Sequence, residues 1–270
     1  GLSSQGYQKA AGIMRLDDIL AQTDLFRPKS PADEAPVGTE KYWLTIFGDP
    51  AGTNPWGWQL EGHHLALNFT VAGGDIVFAP AFMGADPARV SDGRYAGWRL
   101  MGEEVDQALT LVNALSVEQR GQAVLAGEIP ERLFTSPGRE DALQEFAGLS
   151  TSDMNDQQLA QLRRLLDVYV RNSAEPIADK HLLEIEADFA ESTWFAWMGP
   201  ISELQAGIYY RIHSPSVLIE FVNARNRQSK AREPNPNHVH SIFVYPGNNF
   251  GDDLLAQHYA TSPDHNDSHE

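Results

Sequence analysis

Four histidines fall in two tight pairs, and paired imidazoles are a means by which a chain without cysteine holds a metal ion. His63 and His64 stand side by side in "GWQLEGHHLALNFTV", residues 57–71, and His238 and His240 are two apart in "PNHVHSIFVYP", residues 236–246. Both stretches read as β-strands, on which successive side chains alternate between faces. His238 and His240 therefore share a face, and two imidazoles at that spacing can chelate one cation. His63 and His64 point opposite ways on a strand, so a single ion takes one of them. The face of Gly62, His64, Ala66 and Asn68 is lined by small residues and leaves room for a site, which favours His64. Glu61 with His63 is the competing pair.

Glu220 in "VLIEFVN" is the candidate carboxylate. It shares a strand face with Leu218 and Val222, where a carboxylate is costly unless paired or metal-bound. His213, Asn237 and His258 are reserve ligands. Three histidines and a carboxylate around an open position suit oxygen chemistry on iron or copper, or hydrolysis by a metal-bound water. The implied cofactor is a divalent transition metal (zinc, copper or iron), acting on a small molecule, with redox chemistry preferred to hydrolysis. Glu220 would be fourth ligand or general base, and Arg211 completes the candidate catalytic pair. Tyr209, Tyr210, Trp58 and Trp197 would wall the pocket. Structural readings compete. If Ser214–Val217 turns tightly with Pro215 and Ser216 at its tip, Arg211 lies opposite Glu220 as a cross-strand ion pair; a three-residue turn breaks that pairing. Strand histidines also serve as hydrogen-bonded core residues. The rival function is thus a non-catalytic binding protein whose histidines hydrogen-bond a ligand or each other.

Other candidates carry less. His181, Glu184 and Asp188 share one helical face, read as a solvated one. Trp194, Phe195 and Trp197 read as core. Asn68-Phe69-Thr70 matches a glycosylation triplet but lies on a buried strand. His265 and His269 sit in an acidic tail. No G-x-S-x-G, Walker loop or G-x-G-x-x-G is present.

The elements that must position these residues come in two strand blocks. Helical spacing runs through residues 3–23, with Ser3 or Ser4 able to cap. "KYWLTIF", the strand of 57–71 and "IVFAPAFM" form the first block, the last two joined as a hairpin through Gly73-Gly74-Asp75. Residues 84–97 read as loop. Helices fill 102–192, with capping-box spacing at Ser116/Gln119 and Asn155/Gln158 and Pro176 in a first turn. "WFAWM", "GIYYRIH", "VLIEFVN" and "HVHSIFVY" form the second block, and "FGDDLLAQHYA" reads as a final helix. The pattern predicts an α+β fold: one domain over 1–270, a mostly antiparallel sheet built from both ends of the chain, and a central helical layer.

Composition narrows the partners. With 37 Asp+Glu against 20 Lys+Arg the formal charge is −17, which repels phosphate backbones and argues against nucleic acid. No apolar run is long enough to span a bilayer. The absence of cysteine excludes thiolate metal sites, iron–sulfur clusters and a cysteine nucleophile. The opening "GLSSQGYQKA" lacks the basic and apolar regions of a signal peptide.

"PWGWQLEGHHLALNFTV", "FMGADPARV", "YYRIHSPSVLIEFVNARN" and "NHVHSIFVYPGNNFGDDLLAQHY" follow one another in an order that resembles the domain-of-unknown-function family 3500 over nearly the whole chain. The resemblance implies no activity. It implies an extracytoplasmic or secreted location, since many members carry an export signal, and a further helical stretch before Gly1. The family's late motif has Arg-Asp-Pro after the HxH strand; this chain departs from it at Val244 and Tyr245 while keeping His238 and His240.

Overall fold

The computed structural model describes residues 1–24, 26–30, 33–136, 138–139, 142–189, 192–202, 207–225, 234–252 and 254–256. Nine strands form one sheet: β1 (Trp43–Phe47), β2 (Trp56–Glu61), β3 (Leu65–Ala72), β4 (Asp75–Ala85), β5 (Leu149–Ser150), β6 (Trp194–Met198), β7 (Tyr209–His213), β8 (Leu218–Arg225) and β9 (Pro234–Val244). Their order is β1-β2-β3-β4-β9-β8-β7-β6-β5, every neighbour antiparallel. Two meanders, one from each strand block, thus join where β4 meets β9, with Gly84 opposite His240. The α+β expectation and the shared sheet hold. The reason is that neither meander can bury its faces or satisfy its edge alone.

Helices cover one face. The first, α1 (Ser4–Ala21), is capped by Ser3, whose Oγ accepts from Gly6 N at 3.0 Å. Then come α2 (Gly102–Ala114), α3 (Val117–Ala123), α4 (Asp156–Val170) and α5 (Glu175–Phe189). Both expected capping boxes form, Ser116 with Gln119 and Asn155 with Gln158. Ile13 and Leu16 of α1, Leu111 of α2, Leu162 of α4 and Ile185 of α5 pack with Leu67, Phe195, Tyr210, Phe221 and Phe243 of the sheet. Each such side chain contributes roughly 1.5–3 kcal/mol by leaving water. The opposite face is covered differently. Residues 124–136 cross it without a helix, and Leu133 packs there with Met198, Tyr209 and Val222. No helix among the described residues is long and apolar enough to cross a membrane.

The expected helical run over 102–192 is interrupted, since residues 124–136 cross the other face and Leu149–Ser150 joins the sheet as β5, and three further local expectations change. The stretch 57–71 is not one strand: it folds back at Gly62–His64, where Gly62 N donates to Leu65 O at 2.8 Å. A Cβ at Gly62 would lie 2.2 Å from the Tyr42 ring, so this turn exists because a glycine lets Tyr42 across it. Its central residues are two histidines, not the Asn-Gly or Asp-Gly that announces a hairpin. Second, β4 runs on to Ala85, so residues 84 and 85 are strand. Third, Asn249–Gly251 is a 3-10 turn; Asp252 and residues 254–256 are helical, and the remainder of that expected helix, with His258, lies outside the described residues. The tail histidines 265 and 269 lie outside them too.

Candidate metal centre

His64, His238 and His240 converge, each offering a ring nitrogen within 4.8 Å of the others. His64 leads into β3, and its Nε2 is 3.4 Å from His238 Nε2. His238 Nε2 in turn is 3.0 Å from His240 Nε2. Two imidazoles on one tetrahedral zinc at about 2.0–2.1 Å lie about 3.3–3.4 Å apart. Two of the triad's three separations are therefore close to what an ion requires, and the third is within 4.8 Å. Three histidines lie close enough to bind a metal.

The backbone makes room for this. Gly84 is paired with His240, and its N–H donates to His64 O at 2.8 Å. A Cβ there would meet His240 Cδ2 at 2.9 Å and His64 Cδ2 at 3.0 Å. Both rings thus rest on the bare backbone of β4.

Asp17 of α1 holds His64. Its Oδ1 lies 2.6 Å from His64 Nδ1, and its Oδ2 accepts the Tyr42 hydroxyl at 2.6 Å. Asp17 is wholly buried, in the apolar stripe of Ala10, Ile13, Leu16 and Leu20. An unpaired carboxylate there would cost several kcal/mol, so its placement depends on these two donors. Burial and the Asp17 carboxylate raise the Tyr42 pKa and keep the phenol a donor. With Nδ1–H given to Asp17, His64 leaves Nε2 bare, turned to His238; carboxylate–histidine pairs orient metal ligands in this way. His238 has a looser counterpart, its Nδ1 standing 3.9 Å from Asp86 Oδ2. The sequence carries a signal for Asp17, an acid at helical spacing within α1's apolar stripe.

His63 is outside the triad. Its ring lies edge-on to His64 at 4.4 Å and to Phe26 at 5.7 Å. Glu61 ends β2 exposed to solvent.

Glu220 is buried on the same sheet face as the triad, but its oxygens are spent elsewhere. They accept from Phe134 N at 3.0 Å, Thr135 N at 2.8 Å, Tyr209 OH at 2.8 Å and the Thr135 hydroxyl. The carboxylate pins residues 133–135 over the sheet and is not in the ligand cluster. Burial and the neighbouring Glu220 hold the Tyr209 pKa well up, which keeps it a donor. The tight 214–217 turn forms, with Ser214 N donating to Val217 O at 2.8 Å, and Arg211 stands opposite Glu220 in register. The ion pair does not follow, because Glu220's partners come from the crossing segment and Tyr209.

The reserve ligands are also placed elsewhere. His213 packs on Phe146 at 4.5 Å, and burial with the nearby Arg211 charge lowers its pKa to about 4. Asn237 bonds both Arg89 N and Arg89 O. Trp197 and Tyr210 lie in the core under the helices, and Trp58 stacks on Phe69 at 4.2 Å, so these three do not wall a pocket at the triad. His181 is buried against Phe243 and Tyr245, not solvated, and Glu184 accepts the Tyr245 hydroxyl. Asn68 is buried with its amide donated to Pro80 O.

A cavity of about 420 Å³ adjoins the triad on the face away from the helices, with His240 in its wall. His64 and His238 are 1% and 2% exposed, whereas His240 is half-buried.

Neither the curated proteins nor the solved structures contain a match to this chain. Residues 1–252 match the family model described as a protein of unknown function, DUF3500, and the chain belongs to that family.

Proposed function

We propose that this protein is a metal-dependent enzyme whose His64, His238 and His240 hold one divalent transition ion, with a further coordination position left for a small molecule. The observation that carries the reading is the Asp17–His64 pair. Three imidazoles that merely filled space would not need a fully buried carboxylate fixing one ring so that Nε2 faces the other two. Zinc, copper and iron all accept three neutral imidazoles; the bound ion would supply Lewis acidity or electron transfer at its open position. Redox chemistry is preferred to hydrolysis because Glu220, the carboxylate that would have served as general base, is bonded to the crossing segment. Extracytoplasmic location stays part of the proposal.

One observation favours the non-catalytic reading: 3.0 Å and 3.4 Å between ring nitrogens are also hydrogen-bond separations, so a neutral triad could bond to itself. Metal analysis of untagged protein shortened at Ala260, which removes the tail histidines, separates the two. We expect one equivalent of a transition ion, restored by titration after chelation and lost in a His238→Ala/His240→Ala double variant. Protein that is isolated metal-free and takes up neither zinc, copper nor iron would give the site to the hydrogen-bonded reading.

A further inference from the structure

Resting on the metal-centre reading, we infer that the cavity beside His240 binds the substrate, and that this substrate is an uncharged, largely apolar small molecule with a hydroxyl or N–H donor at the end that meets Gln59. The geometry points to this in three steps. First, access: His64 and His238 are sealed, while His240 is the one triad member that is partly open and lines the cavity. A molecule in the cavity therefore meets the ion past His240, whose ring stands edge-on to Phe82 at 5.3 Å.

Second, the walls. The floor is the sheet, with Ala66, Phe82 and Ile242, and the roof is the crossing segment with Leu133. At about 420 Å³ the cavity falls toward the small end of ligand sites. Charged groups of the lining, Glu61 and Arg132, are solvent-exposed and lie at the rim. A charged ligand would lose its water to apolar walls with no partner inside. The roof does not rest on packing alone: the Glu220 carboxylate clips Phe134 and Thr135 in place. A buried acid that the metal does not use thus fixes the cavity's shape.

Third, the polar end. Asn68 donates to Pro80 O at 2.7 Å and accepts from Gln59 Nε2 at 2.6 Å. These bonds orient both amides and leave the Oε1 of Gln59, a residue of the cavity lining, as the acceptor not used between them. It takes a hydroxyl or N–H donor; the nearest charged side chain of the lining, Glu61, is exposed to solvent at the strand end and is not enclosed with it.

The test uses naphthol as the uncharged probe, with naphthoate and naphthylmethylammonium as charged controls of the same ring. Both signs are needed because the acidic protein repels anions and attracts cations generally. Binding is measured by calorimetry on metal-free and metal-loaded protein, and by paramagnetic broadening of the probe's proton signals when cobalt is loaded. We expect naphthol to bind both forms, both charged probes to bind about tenfold or more weakly, and cobalt to broaden the ring protons of bound naphthol. Ala66→Phe, which fills the floor, should abolish naphthol binding, and Gln59→Leu, a change at the cavity's edge, should weaken it about tenfold. Equal binding of all three probes, or naphthol binding indifferent to both substitutions, would overturn the inference even if the triad takes up metal. Naphthol binding that obeys the substitutions in a protein unable to bind metal would leave the cavity a ligand site and remove only the metal-centre reading.

Discussion

Replacing Asp17 by Asn isolates the one contact on which the metal reading turns. The substitution keeps the size and shape of a side chain with no solvent exposure. Its carboxylate now serves two donors, His64 Nδ1 at 2.6 Å and Tyr42 OH at 2.6 Å, with one oxygen for each. An amide has one oxygen and one NH2. If the oxygen stays with His64, the ring keeps its tautomer but loses the negative charge that makes Nε2 a better donor to a metal. If the NH2 faces His64, Nδ1 must be bare and the proton moves to Nε2, the atom a metal would need. Both outcomes weaken binding, and loss of such a partner costs about 10–100-fold in affinity, about 1.4–2.7 kcal/mol. Competition against a chromogenic chelator reads the affinity, and the melting temperature of the metal-free protein reads folding separately. Tyr42→Phe is the control: it removes a neutral donor from the same carboxylate and should cost less than Asp17→Asn. Unchanged affinity in Asp17→Asn, with binding abolished in the His238→Ala/His240→Ala variant, would show that the buried carboxylate does not orient the ligand.

Gly84→Ala brings a methyl to 2.9 Å from both His240 Cδ2 and the backbone Val239 O and to 3.0 Å from His64 Cδ2, so metal affinity, read by chelator competition, should fall at least about tenfold and the melting temperature should fall with it, because β4 and β9 must also shift apart. Glu220→Leu strands the N–H groups of Phe134 and Thr135 and should lower stability to urea by about 2–5 kcal/mol. Metal affinity in that variant should be unchanged, which a ligand role for Glu220 would forbid. His181 is 1% exposed with neither ring nitrogen bonded, and burial, with Lys180's charge adding, pushes its pKa down to about 4 from 6.5. The unfolded chain takes that proton first, so stability is full above pH 6.5 and declines as pH falls toward 4, by at most about 3 kcal/mol. In His181→Phe the pH dependence of urea unfolding between these values should flatten; an unaltered slope would place the acid sensitivity elsewhere.

What the chain determined by itself was the local physics. Ser116/Gln119 and Asn155/Gln158 start helices because each capping bond closes within three residues. The Gly73-Gly74 turn joins β3 to β4, and strand alternation alone puts His238 and His240 on one face. Composition, with no cysteine, excluded any thiolate-held metal. The rest was decided by contacts far apart in the sequence. His64 and His238 are 174 residues apart, and His64 reaches its partner because the chain turns at Gly62, under Tyr42. Alternating apolar residues on either side of 62–64 read as one continuous strand, and the break is set by the Gly62–Leu65 turn bond together with the Tyr42 ring and the Gly84–His64 hydrogen bond. Glu220 looked like a ligand because a buried acid must have partners, and a strand face cannot say whether those are a metal, Arg211 or the N–H groups of a segment 85 residues away. Asp17 obeys the same physics: a buried acid in α1's stripe must have partners, and they are His64 and Tyr42. Local sequence carries the cost of burying a charge; only tertiary structure supplies the partner that offsets it.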